Sequence, residues 1–113
     1  MSILVVGSVA FDVLKTPTKE ADRVLGGAAT YFALAASYFT PVNVVAVVGD
    51  DFKAEDRKVF DGRTVDLSGL ETARGKTFRW GGEYSADLTK RTTLFTDLGV
   101  FETFKPTIPE HFR

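Results

Sequence analysis

Residues 26–49 carry no charged side chain, and that run limits what the chain can fold into. Its first part lies in LGGAATYFALAASYF, residues 25–39, which is apolar nearly all the way round a helix. A helix without a polar face has to be covered on several sides. The run does not read as a membrane span, because Thr40, Pro41 and Asn43 break it into two short pieces. A buried helix followed by a buried strand is expected, with Phe32, Tyr38 and Phe39 in the core and Tyr31 the one helix aromatic free for another use.

The strand pattern has two matching halves. Ile3 to Val6 is an aliphatic run closed by Gly7 and Ser8, and Val42 to Val48 repeats it and closes at Gly49. Continuous aliphatic runs of this length fit strands covered on both faces of a parallel sheet. With the helical segment between them they make a strand, helix, strand crossover, and the fold class is α/β. Residues 50–60, DDFKAEDRKVF, read as a short surface helix closed near Gly62.

After residue 75 the periodicity changes. In KTFRWGGEYS, residues 76–85, Phe78, Trp80, Gly82 and Tyr84 alternate with Thr77, Arg79, Gly81 and Glu83. A period of two is that of a half-buried strand. RTTLFTDL, residues 91–98, continues it across the polar SADLTK, so an antiparallel hairpin is expected, with a bulge or close backbone contact at Gly81 and Gly82. Residues 9–14 are a candidate further strand of this layer. The closing KPTIPEHFR leads toward an element that does not follow, and the layers as read leave edges and apolar faces uncovered. The chain reads as a truncated piece of a larger fold.

Composition excludes several functions. The net charge is −1, with 14 basic and 15 acidic residues, so there is no electrostatic footprint for nucleic acid or an anionic membrane. Lysines and arginines after residue 50 read mostly as a solvated face. There is no cysteine and one histidine, His111, which removes disulfides, thiolate metal sites and histidine-based centres from consideration and suits a reducing cytoplasm. No basic segment precedes the first apolar run, so no signal sequence is read. The residues after Gly7 are Ser8, Val9 and Ala10, so the dinucleotide fingerprint is absent, as is the Walker phosphate loop.

What remains is a spaced constellation: Asp12 beyond the first strand, Gly26 and Gly27 opening the helix, and Asp51 after the second strand. In open α/β sheets ligands bind beyond the carboxyl ends of strands. A carboxylate accepts hydrogen bonds from two neighbouring hydroxyls, and glycines let a ring approach the main chain at a helix start. A polyol ligand suits these groups. On the residues alone, Asp12 reads most simply as a turn or strand-end residue, the glycines as a turn before a helix, Asp51 or its neighbour Asp50 as a helix cap, and Trp80 with Tyr84 as packing of a sheet or of a dimer surface.

GSVAFD, LGGAATYFALAAS, VVAVVGDDF, VDLSGL and GKTFRWGGEYSADLTKRTTLFTDLGVF, taken in order, resemble the amino-terminal blocks of the PfkB, or ribokinase-like, family of sugar and nucleoside kinases. The resemblance implies an incomplete ribokinase-like parallel sheet with helices and a small antiparallel β lid. Residues 1–113 would be the amino-terminal part of a kinase domain, with lid strands within 9–16 and 76–98. It implies that Asp12 holds substrate hydroxyls and that Gly26 and Gly27 line the substrate site. Tyr31 stands where the family commonly has asparagine, placing an aromatic at a substrate contact. Asp51 matches a family aspartate, with a structural role expected.

The resemblance further implies phosphoryl transfer from ATP, with Mg2+, to a hydroxymethyl group. The catalytic aspartate of a late GAGD-type motif would lie beyond Arg113, so no catalytic residue and no metal ligand is expected here, and the chain alone is expected to be inactive. Expected partners are a sugar or nucleoside substrate and a second copy of the chain, met through the lid or an exposed sheet. The competing reading is a non-catalytic association module that dimerises through the β lid.

Overall fold

The computed structural model describes residues 1–112; Arg113, the last residue of the single unit read from the sequence, lies outside the described residues. Seven strands fall into two sheets. The first is parallel and three-stranded, in the order β1 (Ile3–Val6), β4 (Val42–Val48), β5 (Val65–Thr72). Ile3 pairs with Val42 and Val42 with Val65. The second is four-stranded, in the order β3 (Glu20–Gly26), β2 (Ala10–Lys15), β6 (Phe78–Tyr84), β7 (Arg91–Asp97). Helix α1 (Ala28–Ala36) lies against β1 and β4.

Valine chemistry places the core in β4. Val42, Val44, Val45 and Val48 are fully buried, and Val9, Phe11, Ala29, Ala33, Phe52 and Phe60 join them. Each such side chain contributes about 1.5–3 kcal/mol when it leaves water completely, which makes β4 the strand on which the rest assembles. α1 ends where Ser37 donates its amide to Ala33 O at 3.0 Å and its hydroxyl to Leu34 O at 2.7 Å, and Pro41 begins the approach to β4.

Three features differ from the sequence reading. The second sheet is mixed: β2 and β6 run parallel, Asp12 beside Trp80, while β3 and β7 pair antiparallel on the flanks. β2 and β6 are separated by most of the chain, so no hairpin constrains their direction. β3 escaped notice because Glu20, Asp22 and Arg23 break the apolar alternation. Those charges suit an edge strand with one face in water.

The third difference concerns α1. Only Ala29, Thr30 and Ala33 are buried along it, while Phe32 is half exposed, Tyr38 is 68% exposed and Phe39 89%. The aromatics read as core therefore lie on the surface, because the sheet offers α1 a single face to pack on and its small residues take that face. Likewise Ile3, Leu4 and Val6 of β1 remain partly exposed on the strand expected to be covered twice.

The stretch after β4 is helical but brief. α2 (Ala54–Arg57) runs into a 3-10 turn, Lys58–Phe60, which buries Phe60. The β6–β7 hairpin carries the expected irregularity, its register shifting between Gly81 and Gly82. Its turn is tied by Asp87, which accepts hydrogen bonds from the Ser85 and Thr89 hydroxyls at 2.7 and 2.8 Å.

Candidate functional site

Pairing register brings the sequence-predicted residues together. On β3, Gly26 lies opposite Ala10 of β2, and Asp12, two residues further along β2, lies opposite Val24. Positions two apart share a face of a sheet. Asp12 and the Gly26 backbone therefore meet on one side of the second sheet, under the start of α1. A Cβ added at Gly26 would collide with the Asp12 carboxylate and stand 3.2 Å from the Tyr31 hydroxyl. Glycine is needed there for space. At Gly27 the need is conformational as well: φ is 95°, and a Cβ would fall 2.5 Å from Ser8 O and 2.9 Å from Ala10 N.

The sites of these residues differ in detail from the sequence reading. Asp12 sits within a strand and Gly26 ends one, so neither belongs to a loop. The amides at the helix start are also partly satisfied already. Ala28 N donates to Ser8 Oγ at 3.0 Å and Ala29 N to Ser8 O at 2.9 Å, so Ser8 caps α1 from a different segment. A helix capped by a residue twenty positions upstream leaves no local sequence signal.

Asp12, Gly27 and Tyr31 line a cleft of about 350 Å³ between the second sheet and α1. Phe78, Trp80 and Tyr84 form its sheet wall, with Arg91 at the far side. The Arg91 guanidinium lies 5.4 Å from the centre of the Trp80 ring. Burial pushes the Asp12 carboxyl above its ordinary value. Burial, with Asp12 and then Tyr84 nearby, does the same to the Tyr31 phenol, so its hydroxyl stays a donor at neutral pH. One carboxylate acceptor beside one phenolic donor, walled by rings, suits a small polyhydroxylated molecule with an apolar face.

Arg91, Arg63 and Arg79 are exposed, as read, and each also lies over an aromatic ring. Arg63 covers Tyr38 at 4.0 Å and Arg79 covers Phe95 at 5.3 Å. The opposite side of the second sheet carries Phe11, and Arg23 lies over that ring at 4.1 Å. Arg23 also donates to both oxygens of Asp56, at 2.7 and 2.9 Å, and to Asp51 O at 2.8 Å.

Asp51 has a structural task other than capping. Its Oδ1 accepts hydrogen bonds from Thr77 N at 2.9 Å and Thr77 Oγ1 at 2.6 Å, and Thr77 Oγ1 in turn accepts one from Gly49 N at 2.9 Å. This links the end of β4 to the start of β6. The helix cap falls instead to Lys53 and Asp56. His111 accompanies β5, within 2.9 Å of Ser68 Oγ and 3.7 Å of Asp66 Oδ2, away from the cleft.

No protein-family model matches this sequence, and no curated protein matches it either. Solved structures do. A nucleoside kinase of Methanocaldococcus jannaschii, an archaeal member of the ribokinase family, superposes with a TM-score of 0.71 at 20% identity, covering 89% of this chain and 38% of its own. A Burkholderia thailandensis nucleoside kinase in complex with inosine gives 0.70 at 14%, covering 88% and 37%. The ribokinase of Cryptococcus neoformans var. grubii serotype A in complex with ADP gives 0.68 at 23%, covering 86% and 33%. The chain therefore has a ribokinase-like α/β fold, corresponding to less than half the length of each of these proteins.

Proposed function

We propose that this chain is the substrate-side part of an ATP-dependent sugar or nucleoside kinase, with the second sheet as a lid across its acceptor site. Asp12 accepts hydrogen bonds from two neighbouring hydroxyls of the substrate. Gly27 lines the cleft, Gly26 leaves room for the Asp12 carboxylate behind it, and the Tyr31 hydroxyl completes the polar edge. The single observation that carries this reading is the convergence of Asp12, Gly27 and Tyr31 on one cleft, with Gly26 directly behind the Asp12 carboxylate and the Tyr31 hydroxyl. A neighbouring nucleoside kinase in complex with inosine and a neighbouring ribokinase in complex with ADP support this reading, whose reaction class would be phosphoryl transfer to a hydroxymethyl group.

No group of three or more Asp, Glu or His side chains among the described residues is arranged to hold a metal ion, and the sequence has no glycine-rich phosphate loop. Residues 1–112 bind and orient the acceptor, and the nucleotide, Mg2+ and the proton-abstracting group belong to other residues. A cytoplasmic setting accords with a cysteine-free chain; among the described residues no helix is long and apolar enough to cross a membrane.

The test is a thermal-shift and calorimetric panel of ribose, hexoses and nucleosides on the purified chain. A polyol is expected to raise the melting temperature, and Asp12→Ala to abolish the rise while the chain stays folded. A rise that survives Asp12→Ala removes Asp12 from the site. No phosphoryl transfer from ATP by this chain alone is expected in the same preparation.

A second reading is favoured by the unpaired outer edges of β3 and β7 and the exposed aromatic face of α1. On that reading the chain is an association module that dimerises through the lid sheet. Light scattering that reports a stable dimer, together with an empty ligand panel, would establish it.

A further inference from the structure

The cleft has more aromatic wall than a bare sugar uses. Besides Asp12 it presents the rings of Tyr31, Phe78, Trp80 and Tyr84, contributed by α1 and β6. Phe78 is already stacked on Phe101, centroids 5.5 Å apart. Among the described residues the other ring pairs are Phe11 with Phe52, Phe101 with Phe104, and His111 with Phe112. Among the described residues Tyr31, Trp80 and Tyr84 thus have no ring partner, and Tyr31 remains 57% exposed. A free pentose or hexose, hydroxylated around its ring, would satisfy Asp12 and leave these faces wet.

We propose that the cleft selects a nucleoside over a free sugar, its ribose hydroxyls on Asp12 and its flat heteroaromatic base stacked against the rings of Tyr31, Trp80 and Tyr84. This rests on Asp12 as the hydroxyl acceptor and adds the substrate class. Stacking of a base on an aromatic side chain tolerates many bases, since each has a π face, and its loss typically weakens binding by about fivefold or more. Arg91, planar and already against Trp80, extends the same platform at its outer rim. The selection is for a base as such, with a purine and a pyrimidine both accepted.

Trp80 is the only tryptophan of the chain, so its fluorescence reports the cleft directly. Uridine, inosine, ribose and fructose are titrated into the full chain, with calorimetry alongside. Uridine and inosine are expected to perturb Trp80 emission and to bind at least about fivefold tighter than ribose. Tyr31→Ser should lower nucleoside affinity by at least about fivefold more than ribose affinity, while Tyr31→Phe, which keeps the ring, retains the preference. Asp12→Asn should weaken ribose and nucleosides alike. Asp12-dependent binding of ribose or fructose as tight as that of uridine and inosine overturns the base-stacking inference and leaves the hydroxyl site standing. Absence of binding by all four probes, or binding indifferent to Asp12→Asn, overturns the hydroxyl site and the inference with it.

Discussion

At Gly26 and Gly27 two adjacent glycines serve separate physical needs, and substitution separates them. The atom that a Gly26→Ala methyl meets is the end of the Asp12 side chain, which can swing aside. That variant is expected to lose less than about 1 kcal/mol of stability but most of its polyol binding. Gly27→Ala meets Ser8 and Ala10 backbone at a positive φ, so nothing nearby can yield. A loss of about 2 kcal/mol or more is expected, read as a lower urea midpoint. Equal losses of stability in the two variants would refute the distinction.

Asp12 adds a pH dependence of known sign. Its folded carboxyl is held above the ordinary 3.8 by burial. Below that value the group is neutral in folded and unfolded chains alike. As pH climbs through the raised folded value, the chain gives up stability to ionise a partly buried carboxyl. Asp12→Asn escapes this loss. Its melting temperature should exceed that of the parent by a margin that opens above pH 3.8 and is constant by neutral pH. A margin that is the same at every pH would show that burial of the charge is not the cause.

Among the elements, the link between β4 and β6, and so between the two sheets, depends on Asp51. Asp51→Ala removes both acceptor contacts to Thr77, whose buried amide then lacks a partner. An unpaired buried amide costs about 1–3 kcal/mol, so a destabilisation of that order is expected in urea melts, with Asp51→Asn milder because its carbonyl oxygen still accepts from the amide. Arg23 fastens β3 to the neighbouring α2 through Asp56. Hydrogen bonding from Arg23 holds the Asp56 carboxyl below its ordinary value despite some desolvation. Stability from that contact is present above pH 3.8 and is lost as pH falls through the lowered folded value.

For the molecule as a whole, shape and surface belong together. The radius of gyration is 14.8 Å, against about 13 Å for a compact chain of this length. The second sheet projects from the first, and α1 turns Phe32, Tyr38 and Phe39 outward. Apolar surface of this kind drives contact with another protein surface or with a copy of the chain. Phe32→Lys with Phe39→Lys is expected to suppress dye binding and concentration-dependent scattering without lowering the melting temperature, since neither side chain is in the core. A melting temperature that falls by many degrees would show that these rings support the fold.

The apolar runs of β1 and β4, the apolar helical segment of α1 and the alternation of β6 and β7 were legible in the sequence, because each is a local pattern matched to a backbone period. Asp12, Gly26, Gly27 and Tyr31 could be singled out as residue types suited to a polyol, yet no apolar alternation marks the hairpin that brings them within reach of one another. Their convergence comes from the register of β2 against β3, and β3 is hidden by its charges. Ser8 capping α1, Asp51 holding Thr77, and the parallel pairing of β2 with β6 join segments far apart in the chain. Burial of the α1 aromatics was misjudged for the same reason: hydrophobicity states what a side chain favours, whereas the number of layers packed around a helix decides what it receives. Period and composition thus determined most of the strands and the helix, whereas strand register, local for β2 with β3 and long-range for β2 with β6, built the cleft.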